Sequence, residues 1–178
     1  QNNESIAIAV NFLSVVSSAF VILFLFWSST LFLKKISKKN NFANDTNILL
    51  SSSIGALAFT FSDSFWFNAV ETEVYAMATL ILSILFWLGL KWEEEMNTSR
   101  GDRWLLMIAF VIGLSFGVHF MGLLTIPAIG MIYYFKNYKT TTIKNFIIAN
   151  KILSFHILLS VNMYFTNLNT LCNAINFD

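Results

Sequence analysis

Phe61-Ser62-Asp63-Ser64-Phe65-Trp66-Phe67-Asn68-Ala69-Val70-Glu71-Thr72-Glu73-Val74-Tyr75 sets three carboxylates and five aromatic rings between two apolar runs, without a Lys or Arg. A chain that lives in a bilayer keeps its bases in cytoplasmic loops and its Trp and Tyr at the lipid–water boundary. An acidic, aromatic, base-free turn therefore reads as extracytoplasmic, and acids held at a membrane edge are functional candidates.

The flanks of this turn set the fold class. Upstream, residues 48–60 are apolar but short for a ~30 Å hydrocarbon core, and they carry Ser51-Ser52-Ser53, so this span must lean on neighbours. Downstream, residues 74–90 make a further span, closed by Lys91-Trp92 and a charged, solvated run to Arg103. At the start, residues 6–33 contain one strongly polar side chain, Asn11, and suffice for a tilted transmembrane helix ended by Lys34, Lys35, Lys38 and Lys39. A polar loop over 40–47 follows. Residues 104–118 and 120–135 are two apolar runs parted at His119, with Gly113, Gly117 and Gly122 near the break and Pro127 beyond, which fits a tight hairpin or a broken helix. Lys136, Lys139 and Lys144 mark another loop, and residues 143–165 are a sixth candidate span. The reading is an all-α, polytopic integral membrane protein of about six transmembrane helices, with a multi-pass domain over residues 1–166 and a polar tail over 167–178.

Composition agrees. The 178 residues are 56% hydrophobic, 16% aromatic and 12% charged, and the mean hydropathy is +0.65, as for a chain meant for lipid. The single cysteine, Cys172, excludes an internal disulfide and a cysteine metal cluster. The chain opens on Gln1 rather than Met, as a piece of a longer protein would.

Orientation follows from the bases. Four lie in residues 34–39, three in 91–103 and four in 136–151, which accounts for all 11 Lys and Arg. Strict alternation of spans places all of them on one side and leaves the 61–75 turn and His119 together on the other. The sequons Asn44-Asp45-Thr46 and Asn97-Thr98-Ser99 fall on the inner side, where they escape glycosylation.

Within the acidic turn, Asn68-Ala69-Val70-Glu71 has the spacing of an N-cap and its third-residue carboxylate, a structural role for Glu71 that competes with a catalytic one. Glu73, rotated ~200° from Glu71 on a helix, cannot serve the same cap and is the better functional candidate, against simple solvation at the membrane surface. Asp63 is expected to cap a short interfacial helix. Trp66, with Phe65 and Phe67, is an interfacial anchor before it is a sugar-stacking platform, and Tyr75 opens the next span. His119 could bind phosphate or shuttle a proton, or be hydrogen-bonded in a helix break. His156, beside Ser154 and Ser160, has a packing role. Glycine-rich phosphate loops, HExxH, GxSxG and CxxC are absent, as is an outward basic patch for nucleic acid, and neither metal nor cofactor is implied.

The ordered blocks Ser62 to Ala76, Lys91-Trp92-Glu93, Arg103-Trp104-Leu105-Leu106, Gly113-Leu114-Ser115-Phe116-Gly117-Val118-His119 and Leu124-Thr125-Ile126-Pro127-Ala128 resemble the multi-pass proteins of domain of unknown function 2723, over roughly residues 5–148. That family is related to protein O-mannosyltransferases of the GT-C fold. The resemblance implies a membrane glycosyltransferase, of the bacterial inner membrane, that moves a sugar, mannose in the first instance, from a polyprenyl-phosphate donor to a protein hydroxyl at the outer face. Its partners would be membrane lipids, the lipid-linked sugar and a protein acceptor. Such enzymes carry a key catalytic acid in the first extracytoplasmic loop, and this chain starts after that loop. Glu71, Glu73 and His119 match the family's blocks without an assigned role, and Glu71, Glu73, Trp66, Tyr75 and His119 are the expected substrate-binding set. The chain after Lys151 departs from the family pattern. Two other classes stay open: a noncatalytic scaffold or remnant, and a small-solute transporter, which would need ionisable groups deep in several spans and paired broken helices.

Overall fold

The computed structural model describes residues 3–40, 44–71, 74–138, 142–145, 147–148, 151 and 166. The regular elements are helical: α1 (Asn3–Asn40), α2 (Asp45–Thr60), α3 (Asp63–Val70), α4 (Val74–Glu95), α5 (Gly101–Ser115), a 3₁₀ turn (Phe120–Leu124) and α6 (Thr125–Asn137). They fall into two compact units, Gln1–Thr125 and Ile126–Asp178. In the second, α6 carries Lys136 in its last turn, and Tyr134 stacks on Tyr138 at 5.1 Å.

The first unit is arranged inside out relative to a water-soluble bundle. On α1, Phe12 is 68% exposed while Ser17 is 2% exposed, and Ser14, Ser18 and Ser28 are buried with it. Large apolar side chains facing outward and small hydroxyls facing inward are what lipid selects, because helices in a bilayer associate through close packing rather than through burial of apolar surface. α1 packs on α2 and α4, and the residues these two helices bury are small ones among others, Ser52 and Ala56 on α2 and Ala76, Ala78 and Gly89 on α4. α5 packs on α4, and Ile108 of α5 and Leu85 of α4 are both fully buried.

Side-chain pairs fix the register. Lys35 is paired with Glu93, 58 residues later, and Trp27 meets Trp87 at 5.8 Å, so α1 and α4 run in the same direction. Trp104 at the start of α5 packs on Trp87 at 6.0 Å and donates from Nε1 to Glu95 Oε2 at 3.1 Å. The bases of residues 34–39 and 91–103 thus gather at one end of this unit under a belt of tryptophans, the position such rings favour. The α4–α5 connection is tight: Thr98 N and Oγ1 both donate to Glu95 O, at 2.9 and 2.7 Å. A Cβ at Gly101 would lie 2.6 Å from Met96 O, so glycine is required there. Since Val74 falls level with the region near Val15, α1 overshoots the start of α4 by about 12 residues, roughly 18 Å.

Of the about six spans expected, two or up to three stand out by length and composition among the described residues. Ser5–Lys38 and Val74–Glu95 are long and apolar enough to cross a membrane, and α2 with α3, bent by 64°, makes a third if the pair is one span. α5 and α6, with 15 and 13 residues, are each shorter than the ~20 a crossing needs. The apolar runs at 104–118 and 120–135 exist, but the α-helix stops at Ser115 and resumes at Thr125. Most of the sixth candidate, residues 143–165, and the 167–178 tail lie outside the described residues.

Candidate active site at the acidic end

α2 ends because its last polar groups turn back on it. Thr60 Oγ1 donates to Ala56 O, and both Ser62 N and Ser62 Oγ donate to Phe59 O. Ser62 is the N-cap residue of α3 but gives it no side-chain bond; Asp63 follows in the first turn, where its charge complements the helix dipole. A short helix begins at Asp63 as expected, but its N-cap position is Ser62, and Asp63 lies within the first turn instead of capping it.

α3 presents two faces. Asp63, Trp66, Phe67 and Val70, at i, i+3, i+4 and i+7, line an open cavity of about 430 Å³ together with Phe61. Trp66 is 57% exposed, so a polar, ring-faced ligand could lie on it. The other face turns inward: Phe65 packs on Phe59 at 4.8 Å. Ser64 and Asn68 join Ser18, Ser62 and Thr79 around a second space of about 150 Å³. Four hydroxyls and an amide from α3 and its neighbours converging on one space is an arrangement suited to holding a polyhydroxylated group. Ser18, Ser64 and Thr79 had no sequence signal, since isolated hydroxyls in apolar runs are indistinguishable from packing residues.

The capping reading of Glu71 is overturned. Asn68 lies inside α3, and Glu71 is the C-cap of that helix, half-buried, with φ −80° and ψ 140° and its N–H donating to Phe67 O at 3.1 Å. A carboxylate there faces the negative end of the helix dipole. At that place it does not stabilise α3. Thr72 and Glu73 lie outside the described residues, as does His156.

His119 is held by the break after α5. Its N–H donates to Ser115 O at 2.8 Å, its backbone is extended at φ −162°, and Nδ1 accepts from Met121 N at 3.2 Å, capping the 3₁₀ turn. With Nδ1 accepting, the neutral imidazole carries its proton on Nε2 and offers it as a donor. Gly122 closes the turn against Ser115, where an added Cβ would sit 2.6 Å from Ser115 Cβ. This 3₁₀ turn packs on α4 and α5, and it brings the His119 ring to 6.0 Å from that of Tyr75, at the start of α4. Of the expected binding set, Tyr75 and His119 meet and Glu71 is three residues before α4, whereas Trp66 stands on the outer face of α3.

A family model described as the protein O-mannosyl-transferase TMEM260 N-terminal domain matches residues 1–142, which include the acidic turn and His119. No curated protein and no solved structure matches the chain.

Proposed function

This chain belongs to the protein O-mannosyl-transferase TMEM260 N-terminal domain family, and from that premise we propose that it is the membrane-embedded part of a GT-C-type glycosyltransferase, allied to the domain of unknown function 2723 proteins. The reaction moves a mannosyl group from a polyprenyl-phosphate donor to a protein hydroxyl on the extracytoplasmic side. The single observation that carries this reading is the family match across the acidic turn, the histidine break and the helices that hold them.

In the proposed reaction the acceptor oxygen bonds to the anomeric carbon as the bond from that carbon to the phosphate oxygen breaks. The acceptor proton passes to a carboxylate, and polyprenyl phosphate leaves with the bonding electron pair. Glu71 and Glu73 are the candidates for that base. His119 Nε2–H is a donor for a phosphate oxygen, and Tyr75 steadies the ring. The open face at Trp66 suits the approach of an acceptor. Paired interruptions near one end would also suit a transporter, but residues 6–33, 48–60 and 74–90 contain no Asp, Glu, Lys, Arg or His, which disfavours it.

The test is mannosyl transfer from a polyprenyl-phosphate mannose to an acceptor peptide by the purified full-length protein. Glu71→Gln or Glu73→Gln is expected to reduce transfer by about 10²-fold or more, the usual scale for a general base, at unchanged protein level. Full activity in the double variant would overturn the assignment of the base, and absence of any sugar transfer by the folded wild type would overturn the reaction class.

A further inference from the structure

The opposite end of the same helix pair holds a cavity with a different chemistry. Between α1 and α4, about 300 Å³ is lined by Trp27, Thr30, Leu31, Lys34, Trp87 and Lys91. That is the lower end of the size range of small-ligand sites. Its wall is apolar and aromatic, Trp27 is 40% exposed on the outside of the bundle, and its polar rim is cationic. Lys34 has no hydrogen bond or ion pair among the described residues, whereas its neighbour Lys35 is committed to Glu93. Lys91 donates to Glu94 at 3.0 Å within one helix turn, with both side chains partly exposed, an ion pair weak enough for a competing anion to replace. The remaining acid of the run, Glu95, is engaged by Trp104. Thr30 directs its proton to Phe26 O at 2.8 Å and so keeps an oxygen free to accept from a headgroup hydroxyl.

We propose that this cavity is a binding site for an anionic glycerophospholipid, with the headgroup phosphate between Lys34 and Lys91 and the start of the acyl chains along Trp27, Leu31 and Trp87. Charge complementarity selects this occupant: the cavity sits where tryptophans mark the membrane boundary, its rim offers two ammonium groups, and basic pockets between transmembrane helices take acidic headgroups. A neutral helix from elsewhere in the protein would leave the Lys34 ammonium without an anion. The site is independent of the sugar-transfer reading, since it lies at the other end of α1 and α4.

The experiment uses the full-length protein in phosphatidylcholine nanodiscs doped with either dibrominated phosphatidylglycerol or dibrominated phosphatidylcholine, and reads quenching of tryptophan fluorescence. Quenching should be stronger with the acidic lipid at equal mole fraction. Lys34→Gln with Lys91→Gln should lower that selectivity by about 25-fold, about fivefold for each lysine, while the Lys34→Arg, Lys91→Arg protein retains most of it. Equal quenching by both lipids in the wild type would show that no acidic lipid is preferred and would sink the proposal, whether or not the variants fold. Selectivity that survives the double glutamine substitution would sink it too. Loss of the effect on adding millimolar glycerol phosphate would assign the site to a soluble phosphate instead of a lipid.

Discussion

Glu71 separates two effects that usually travel together. As the C-cap of α3 its charge opposes the helix dipole, so Glu71→Gln should leave thermal stability in detergent unchanged or raise it by about 0.3–1 kcal/mol, even as transfer falls. A clear drop in melting temperature would restore a structural role for the residue. Gly122 is the converse case, where geometry alone decides. Gly122→Ala pushes a Cβ against Ser115 and should destabilise by about 1–3 kcal/mol, as overpacking does. Ser115→Gly in the same chain should recover most of this, less about 1 kcal/mol for glycine in a helix, while Ser115→Ala, which keeps the offending Cβ, should not. Equal melting temperatures for Gly122→Ala and wild type would contradict the packing around His119.

Among the elements, α2 depends most on its neighbours. The Ser52 hydroxyl is buried and makes no hydrogen bond among the described residues, so its value is its size. Ser52→Ala should be neutral within about 0.5 kcal/mol, whereas Ser52→Leu should separate α1 from α2 and cost about 1–3 kcal/mol, read by denaturation in detergent. The need of residues 48–60 for support was legible, because a short span with three serines cannot satisfy a bilayer alone. The helix at Asp63 was legible too, from an acid placed before an apolar cluster. The cap at Asn68 was misread because a polar residue followed three positions later by Glu fits a helix interior as well as a helix start; the contact of Phe65 with Phe59, which a linear sequence does not display, decides for the interior. The break near His119 left a hairpin and a broken helix both open for a related reason, since hydropathy registers apolar runs and is blind to where the backbone leaves the α conformation, as it does after Ser115. The convergence of Ser18, Ser64, Asn68 and Thr79 depends on the 64° bend between α2 and α3 and could not have been inferred from spacing.

At the scale of the whole molecule, the gathering of lysines, arginines and tryptophans at one end of the first unit agrees with the alternation read from the bases. Cysteines introduced at Ser64 and at Ser99 should then be labelled by an impermeant reagent from opposite sides of sealed membranes, and labelling of both from one side would reverse the orientation argument. The overshoot of α1 has a consequence for the surrounding lipid. Its apolar stretch of 28 residues measures roughly 42 Å at ~1.5 Å per residue, against a hydrocarbon thickness of about 30 Å, while α4 fits that thickness closely. Two neighbouring helices with unequal apolar lengths cannot both match one flat bilayer, so hydrophobic mismatch must be relieved by tilting α1 or by thickening the membrane around it. Acyl-chain length becomes a control variable: in long-chain lipids α1 can stand upright, in short-chain lipids it must lean, and the amphiphile environment acts on both ends of the helix at once.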